Sequence, residues 1–225
     1  MTTFILDVET TDKDPAKCEV VEFAWKEFHF GTEIANFGLR RFSHSGGMRF
    51  GALAAHHILP EELVGAPRYS GEYLPDITAR TYWVGHNVDF DWECLGKPAV
   101  KRVCTLAMAR RIWPTLDSHS LSALTYFTQG ATKEVREKLR GAHSALADVN
   151  LCEELLVRMC KEANLQTIEE LHSFSEVARI PTVMTFGKFA GEPIAKVDRG
   201  YANWYRKQPN PDPYLLEAFR RNGLM

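Results

Sequence analysis

The chain has 225 residues, of which 45% are hydrophobic and 25% are charged, and its formal net charge is −2. This is the composition of an ordinary soluble globular protein, and its length fits one large domain, or a domain of about 150–180 residues with a small appendage. Because the chain is not basic overall, a general electrostatic attraction to nucleic acid is excluded, and contacts to phosphate would depend on local basic clusters.

Cysteine usage and hydropathy exclude several further classes. The five cysteines are odd in number and contain no Cys-x-x-Cys pair, which argues against a disulfide framework and a zinc ribbon. Cys152 and Cys160 lie in an apolar-periodic segment and are predicted to pack as small hydrophobic residues. No apolar run reaches the ~18–20 residues of a membrane span. We expect no membrane association and a reducing, cytoplasmic location.

The first half of the chain is rich in predicted strands. Apolar runs predict strands at residues 4–6, 20–28, 33–42 and 82–85. Gly31-Thr32 is typical of a hairpin turn, so the opening is predicted to be antiparallel. Short helices are predicted at residues 53–64, where Pro60 marks a helix start, and a further helix at 69–80.

Helices dominate the second half. They are predicted from residue 90 and at 106–112, 120–127, 142–163 and 168–177. Trp113-Pro114 stops the second of these. A boundary near residues 179–182 precedes a glycine-punctuated strand-turn at 184–191 and a last helix at 214–221. This order predicts a mixed sheet flanked by helices, followed by a small C-terminal appendage.

The first pattern with chemical meaning is Asp7-Val8-Glu9, at the end of the first strand. Strand alternation puts Asp7 and Glu9 on one face, roughly 6.5–7 Å apart along the strand. Two carboxylates so placed can hold two cations between them. Alone, a pair of this kind is more often an ordinary exposed pair.

The second pattern is His86-Asn87, at the end of the strand at 82–85, followed by Asp89 and Asp91. Asp91 is predicted in the first turn of a helix, pointing back at the strand ends. A helical turn would aim Asp89 about 160–200° away from Asp91. We therefore assign the ligand role to Asp91 and expect Asp89 to support the helix N-terminus.

The third pattern is His143-Ser144-Ala145-Leu146-Ala147-Asp148. Asp148 interrupts an otherwise apolar helix start, where a carboxylate is costly unless it is paired or bound to metal. His143, with an unperturbed pKa near 6.5, is suited to accept a proton from an attacking water at neutral pH.

Together the three patterns supply four carboxylates and one histidine. Two Mg²⁺ ions about 3.5–4 Å apart can clamp the attacking and leaving oxygens of a displacement at phosphorus. Such hard cations take carboxylate oxygens and water, and Mn²⁺ can substitute for Mg²⁺. The patterns therefore predict a two-metal phosphodiester hydrolase.

The same residues resemble the motifs of a known family. Asp7-x-Glu9, Asn87-x-x-Phe90-Asp91 and His143-x-x-x-x-Asp148 are similar to the three motifs of the DnaQ-like, DEDDh class of 3′→5′ exonucleases, over roughly residues 3–165. Within the class, the chain looks most like the exonuclease X group of bacteria. Three further stretches carry that likeness: Ala52-x-x-x-His56-x-Ile58, Cys104-Thr105 through Trp113-Pro114, and Thr185-Phe186-Gly187-Lys188-Phe189-x-Gly191 with Tyr201-x-x-Trp204.

This resemblance implies an α/β, ribonuclease H-like fold with a mixed five-stranded sheet, divided into an exonuclease domain at 1–178 and a small α+β module at 181–225. It implies two Mg²⁺ or Mn²⁺ ions and release of nucleoside 5′-monophosphates from a DNA strand with a free 3′ end. The metal ligands would be Asp7, Glu9, Asp91 and Asp148, and His143 the general base. The expected substrate-binding residues are Val8, Thr10, His56, His86 and Asn87.

Two other readings remain open at this stage. One is an exoribonuclease of the same class, of the RNase T or oligoribonuclease type, because the choice depends on how a pocket treats a 2′-hydroxyl. The other is a non-catalytic subunit that keeps the fold, although a binding module has no need of four clustered carboxylates. The C-terminal module is expected to tune substrate engagement through cations and aromatic side chains, with Trp204 in the module's own core.

Overall fold

A five-stranded mixed sheet organises the first of two compact units. The computed structural model describes residues 1–32, 36–75, 81–140 and 144–225, and the units are Met1–Ser175 and Glu176–Met225. The sheet has the order β3-β2-β1-β4-β5, with β1 antiparallel to β2 and parallel to β4. The strands are β1 Thr2–Thr10, β2 Val20–Glu27, β3 Phe37–Arg41, β4 Thr81–Gly85 and β5 Lys101–Cys104.

Helices flank this sheet, and the predicted α/β class with a mixed five-stranded sheet is confirmed. In the first unit the helices are α1 Phe50–His56, α2 Val88–Cys94, α3 Thr105–Ile112, α4 Leu121–Gln129, α5 Lys133–Arg140, α6 Ala145–Glu162 and α7 Ile168–Ala178, the last of which runs into the second unit. No helix in the described ranges is long and apolar enough to cross a membrane.

The two faces of β1 belong to two separate cores. Ile5 packs in a cluster with the apolar face of α6, which includes Val149 and Leu156. Phe4, Leu6 and Val8 pack in the other cluster, beneath α2. Because strand side chains alternate, Asp7 and Glu9 share the α6 side with Ile5.

Several predicted elements are corrected. The helix predicted at 69–80 is wrong over its described part, which holds only a short 3₁₀ turn at Gly71–Tyr73; residues 76–80 lie outside the described ranges. Of the strand predicted at 33–42, residues 33–35 also lie outside them, and Phe37–Arg41 is a strand. β5 and α5 went unpredicted because both are short and carry several charged residues, so neither presents a long apolar period.

The second unit has its own small core. Seven buried residues form it: Met184, Ile194, Val197, Ala202, Leu215, Ala218 and Phe219. The helices α8 Arg199–Tyr205 and α9 Pro213–Arg221 supply most of it. The strand-turn predicted at 184–191 is wrong: a 3₁₀ turn at Gly187–Phe189 and a single bridge between Val183 and Pro193 stand in its place, so this unit is helical and not α+β over its length.

Trp204 was expected in that core and is instead 53% exposed. It lies on the solvent side of α8, and its ring contacts that of Tyr201 at 5.2 Å. The division into an exonuclease domain and an exonuclease X-like module, as functional parts, remains a prediction.

We predict that Gly85→Ala destabilises the fold by about 1–3 kcal/mol, the usual cost of overpacking. Gly85 ends β4, and a Cβ there would lie 3.2 Å from the Leu6 carbonyl oxygen and 3.2 Å from the Val88 Cβ. α2 would have to move away from β1 to make room. Urea unfolding of the variant measures the loss. Gly71→Ala is the matched control, because no atom lies within 4 Å of a Cβ at that position; an equal loss in both variants would contradict the packing argument.

Candidate active site

The site begins where β1 extends beyond β4, its parallel neighbour. β4 pairs with β1 only from Thr2 to Ile5, so the following part of β1 has no β4 partner. Asp7 and Glu9 lie on this overhang and are both half-buried. Because β1 and β4 are parallel, their carboxyl ends lie at the same edge of the sheet. Asp7 and Glu9 therefore lie at the edge where β4 ends and α2 begins.

α2 supplies Asp91 at that edge. Asn87 has a left-handed backbone (φ 76°), a conformation that asparagine tolerates better than most residues, and α2 begins directly after it. Asp91 is buried, and its Oδ1 accepts a hydrogen bond from the Val8 backbone nitrogen at 3.0 Å. The carboxylate thus takes the place of the acceptor that β4 would have offered had it continued.

Asp89 has different surroundings, as the helical spacing predicted. Its carboxylate pairs with Arg102 of β5, and the Arg102 guanidinium lies over the Trp92 ring at 3.9 Å. Asp89 is partly exposed, whereas Asp91 is 3% exposed. These contacts favour Asp91 as the member of the site.

Asp148 arrives from α6 on the same side as Asp7 and Glu9. Ser144 caps this helix by accepting a hydrogen bond from the Ala147 nitrogen, and Asp148 lies in the first turn. One carboxylate oxygen from each of Asp7, Glu9 and Asp148 lies within 4.8 Å of the others. His143, the predicted base, lies outside the described residues.

Sequence reasoning missed a fifth carboxylate, that of Glu22. It lies on β2 directly across from Glu9 and is 2% exposed. Its Oε2 accepts a hydrogen bond from the Ala145 nitrogen at 2.9 Å, at the start of α6, and its Oε1 accepts one from Arg41 Nε at 2.9 Å. A carboxylate at a helix N-terminus is favourable. Glu22 therefore ties the helix that carries Asp148 to the sheet that carries Asp7.

One sequence signal could have identified Glu22. It is the single charged residue in the apolar run Val20-Val21-Glu22-Phe23-Ala24. A charge in the interior of a buried strand is costly unless it has partners, so such a residue marks a polar contact in the core.

Burial and mutual repulsion alter the acidity of the cluster. Burial, followed by the charges of Asp148, Glu22 and Asp91, raises the pKa of Glu9 to about 8. The pKa of Asp7 is raised well above its usual range, first by burial and then by Asp91. Burial raises the pKa of Asp91 to about 7, although the hydrogen bond from Val8 opposes this.

This donor set fits divalent cations. The neighbouring charges that act on the pKa values of Asp7 and Glu9 are all negative. Like charges so close need a cation or protons between them. Oxygen donors with no sulfur in the cluster suit Mg²⁺ or Mn²⁺ better than softer metals. Asp7, Glu9 and Asp148 would hold the ion, and Asp91 lies at the edge of the same site.

The predicted substrate-binding residues of β1 and α1 lie around this cluster. Val8 is buried and points away from Asp7, towards the core beneath α2, while its backbone reaches the site. Thr10 Oγ1 donates to the Asp12 carbonyl oxygen at 2.8 Å. His56 is buried; its Nδ1 accepts from the Ile58 nitrogen, and its Nε2 has no hydrogen-bond partner among the described residues. Burial lowers the pKa of His56.

His86 has structural partners on both ring nitrogens. Nε2 lies 2.9 Å from the His119 carbonyl oxygen, and Nδ1 lies 3.0 Å from Thr105 Oγ1. Burial lowers the pKa of His86 to about 4, so the ring is neutral. His86 thus holds the start of α3 and the loop before α4 near the end of β4. Substrate contact by His86 and Asn87 remains a prediction.

Comparison with known proteins finds similarity to an exodeoxyribonuclease. No protein-family model matches the chain. Exodeoxyribonuclease 10 of Escherichia coli strain K12 is 29% identical over 156 residues, which are 68% of this chain and 69% of that protein.

Solved structures share the fold. Exonuclease X in complex with 5′ overhanging duplex DNA matches with a TM-score of 0.62 and 24% identity, over 77% of this chain and 99% of the other. E. coli exonuclease I in complex with a dA16 oligonucleotide matches with a TM-score of 0.56 and 18% identity, over 79% of this chain and 44% of the other.

The resemblance to exonucleases predicted from the three motifs is thereby confirmed: the chain is similar in sequence to an exodeoxyribonuclease and shares its fold with exonucleases of known structure.

Proposed function

We propose that the chain is a metal-dependent 3′→5′ exodeoxyribonuclease that releases nucleoside 5′-monophosphates from DNA 3′ ends. The convergence of Asp7, Glu9 and Asp148, with carboxylate oxygens within 4.8 Å, carries this proposal. The similarity to exodeoxyribonuclease 10, and to exonuclease structures that contain DNA, supports DNA as the substrate.

In this proposal Asp7, Glu9, Asp91 and Asp148 would hold two divalent cations. Such cations would supply activation of the attacking water and stabilisation of the charge on the leaving 3′ oxygen. The protein residues hold the geometry. The Val8 nitrogen orients the Asp91 carboxylate, and Glu22 anchors the N-terminal turn of α6, from which Asp148 projects.

His143 is the proposed general base, which accepts the proton of the attacking water. It immediately precedes Ser144, the cap of α6, and lies five residues before Asp148 in the sequence. Val8, Thr10, His56, His86 and Asn87 are the proposed contacts around the terminal nucleotide. Among them, His56 accepts from the Ile58 nitrogen at Nδ1, so Nε2 of the neutral ring carries the hydrogen and would donate to a substrate oxygen.

The direct test is hydrolysis of end-labelled strands by the full chain in Mg²⁺. We expect a 5′-labelled single strand of DNA to shorten one nucleotide at a time, and a 3′-labelled strand to release labelled mononucleotide first. Excess chelator abolishes both, and Mn²⁺ restores them. Faster hydrolysis of a matched RNA strand would show that RNA is the preferred substrate. Full activity in chelator would overturn the metal-dependent mechanism.

We predict that the metal-free protein loses stability as the pH rises from about 5 to 8. The pKa values of Glu9 and Asp91 are raised to about 8 and about 7 in the folded protein, whereas unfolded carboxyl groups titrate near 4. A raised folded pKa contributes stability below the unfolded pKa, and this contribution is lost as the pH rises through the folded pKa. Thermal melts across this pH range, with and without Mg²⁺, measure the effect.

Asp7→Asn removes one of the repelling charges and should raise the metal-free Tm at pH 8 by roughly 3–8 °C. The gain should shrink at pH 5 and disappear in saturating Mg²⁺. Asp117→Asn is the control, since it removes the same charge from an exposed residue outside the cluster. A Tm of the metal-free wild type that rises between pH 5 and 8 would contradict the repulsion.

We predict that Asp91→Asn and Asp89→Asn differ sharply in turnover. Asp91 is buried at the site, whereas Asp89 is paired with Arg102. Asp91→Asn should lower turnover by more than the roughly 10–100-fold that follows when a residue that only supports a metal ligand is removed. Asp89→Asn should remain within about threefold of wild type, because Asp89 is paired with Arg102 away from the carboxylate cluster. Single-turnover assays at saturating Mg²⁺ measure both, and the reverse ranking would make Asp89 the ligand.

We predict that His143→Ala lowers turnover by about 10²–10⁴-fold, the usual contribution of a general base. The affinity for Mg²⁺, measured by calorimetry, should stay unchanged. Wild-type turnover should fall on the acid side as the imidazole protonates near pH 6.5. His29→Ala, at an exposed histidine on the loop after β2, is the control. Loss of a metal ion from His143→Ala would instead identify His143 as a ligand.

The second unit is the proposed single-strand contact. Its exposed aromatic rings are Phe186 and Trp204, which are 44% and 53% exposed. Arg206 and Lys207, at the end of α8, are exposed and form no ion pair within the described ranges. Aromatic rings beside cations suit a single strand, which offers stackable bases and phosphates.

We predict that Trp204→Ala weakens binding of a long single strand by about 5–150-fold, since stacking on one base contributes about 1–3 kcal/mol. Turnover of a dinucleotide should be unchanged, because the second unit contributes no residue to the proposed metal site. Trp204→Phe keeps an aromatic face and should retain most of the affinity. Fluorescence anisotropy with labelled oligonucleotides measures the binding, and equal affinities of all three proteins would leave Trp204 without a role in the interaction.

A further inference from the structure

Two cysteines from distant parts of the chain meet at the end of α2, the helix that carries Asp91. Cys18 lies in the loop that joins β1 to β2, and Cys94 is the last residue of α2. Their sulfur atoms are 2.9 Å apart. A disulfide bond is about 2.05 Å long, so less than one ångström of approach separates the thiols from a covalent bond.

Exposure distinguishes this pair from the other three cysteines. Cys18 and Cys94 are half-buried, so a small oxidant in solvent can reach them. Cys104, Cys152 and Cys160 are buried. Burial raises the pKa of Cys160 to about 11, which keeps that thiol protonated and unreactive. The three buried cysteines therefore serve as controls that should not react under the same conditions.

We propose that Cys18 and Cys94 form a reversible disulfide, a modification site that ties α2 to the loop after β1 under oxidising conditions. The oxidant is a low-molecular-weight disulfide of the glutathione class. The proposal concerns the oxidation state of the chain and does not depend on its substrate.

The two steps follow from the contacts of the pair. The hydrogen bond from Cys94 lowers the pKa of Cys18, which makes Cys18 the attacking thiolate. Its sulfur attacks one sulfur of oxidised glutathione, forms a mixed disulfide and expels one glutathione thiolate. Cys94 passes its proton to that thiolate and attacks the Cys18 sulfur, which expels the second glutathione. Two protein thiols are oxidised, and one glutathione disulfide is reduced to two thiols.

The bond would reinforce a contact that the site already uses. Asp91 lies three residues before Cys94 on α2, and its carboxylate accepts the hydrogen bond from Val8 on β1. The disulfide would add a covalent link between α2 and the loop that follows β1. It would also close a long loop, the case in which a crosslink most restricts the unfolded chain. The oxidised form should therefore keep α2 on β1 at temperatures that unfold the reduced form.

The test uses the full chain, reduced and then incubated with oxidised glutathione. The mass of the intact protein should fall by two hydrogen atoms, and thiols titrated after unfolding should drop from five to three. Peptide mapping without reductant should recover the Cys18 peptide joined to the Cys94 peptide. The Tm should rise by roughly 5–10 °C, and dithiothreitol should reverse every change.

Cys18→Ser and Cys94→Ser should each abolish the Tm rise, and Cys160→Ser should retain it. Both serine variants change half-exposed residues, so their reduced forms should fold and melt close to the reduced wild type. A gain in mass from glutathione held on Cys18, with no crosslinked peptide, would overturn the proposal. So would a disulfide that includes a buried cysteine. None of these readouts requires nuclease activity, so the proposed function and this inference can fail separately.

Discussion

The arrangement of the site depends on one constraint, the repulsion among carboxylates held where β1 extends beyond β4. Asp7 and Glu9 lie on the overhang, and Asp148 is brought to within 4.8 Å of them. The pKa values of Asp7 and Glu9 are raised first by burial and then by the negative charges of the neighbouring carboxylates. A fold does not maintain such a cluster for stability alone. The elements around it are anchored against the repulsion, which cations bound in the proposed metal site would relieve.

Two buried hydrogen bonds provide that anchoring. The Val8 nitrogen holds the Asp91 carboxylate at the point where β4 ends and α2 begins. Glu22 holds the N-terminus of α6 through Ala145, and Arg41 partly balances its charge. Each joins one helix to the central strands. The sheet therefore acts as the common support for the carboxylates that come from β1, α2 and α6, which are far apart in the chain.

Some of this could be predicted and some could not. The strand at Val20–Glu27 and the helix at Ala145–Glu162 contain long apolar patterns. The bounds predicted for both elements lie within three residues of those in the structure. β5 and α5 were missed because they are short and charged, so tertiary packing and not local pattern decides them. Trp204 was expected in the small core of the second unit together with the other aromatic residues there, but residues such as Phe219 fill that core and Trp204 is in solvent. The contact between Cys18 and Cys94 has no local signal, since each cysteine alone is ordinary.

The sequence by itself determined the chemical identity of the site. Three short patterns of Asp, Glu and His, set at the ends of predicted strands and helices, were sufficient to indicate a family and to name Asp7, Glu9, Asp91 and Asp148 as its acidic residues. Only the tertiary structure decided how these residues meet: the overhang of β1, the left-handed turn at Asn87 and the role of Glu22 in fixing α6. The physical reason is that residue type and local period are properties of neighbours in the chain. Strand register, burial and the repulsion among carboxylates arise only when segments far apart in sequence are brought together.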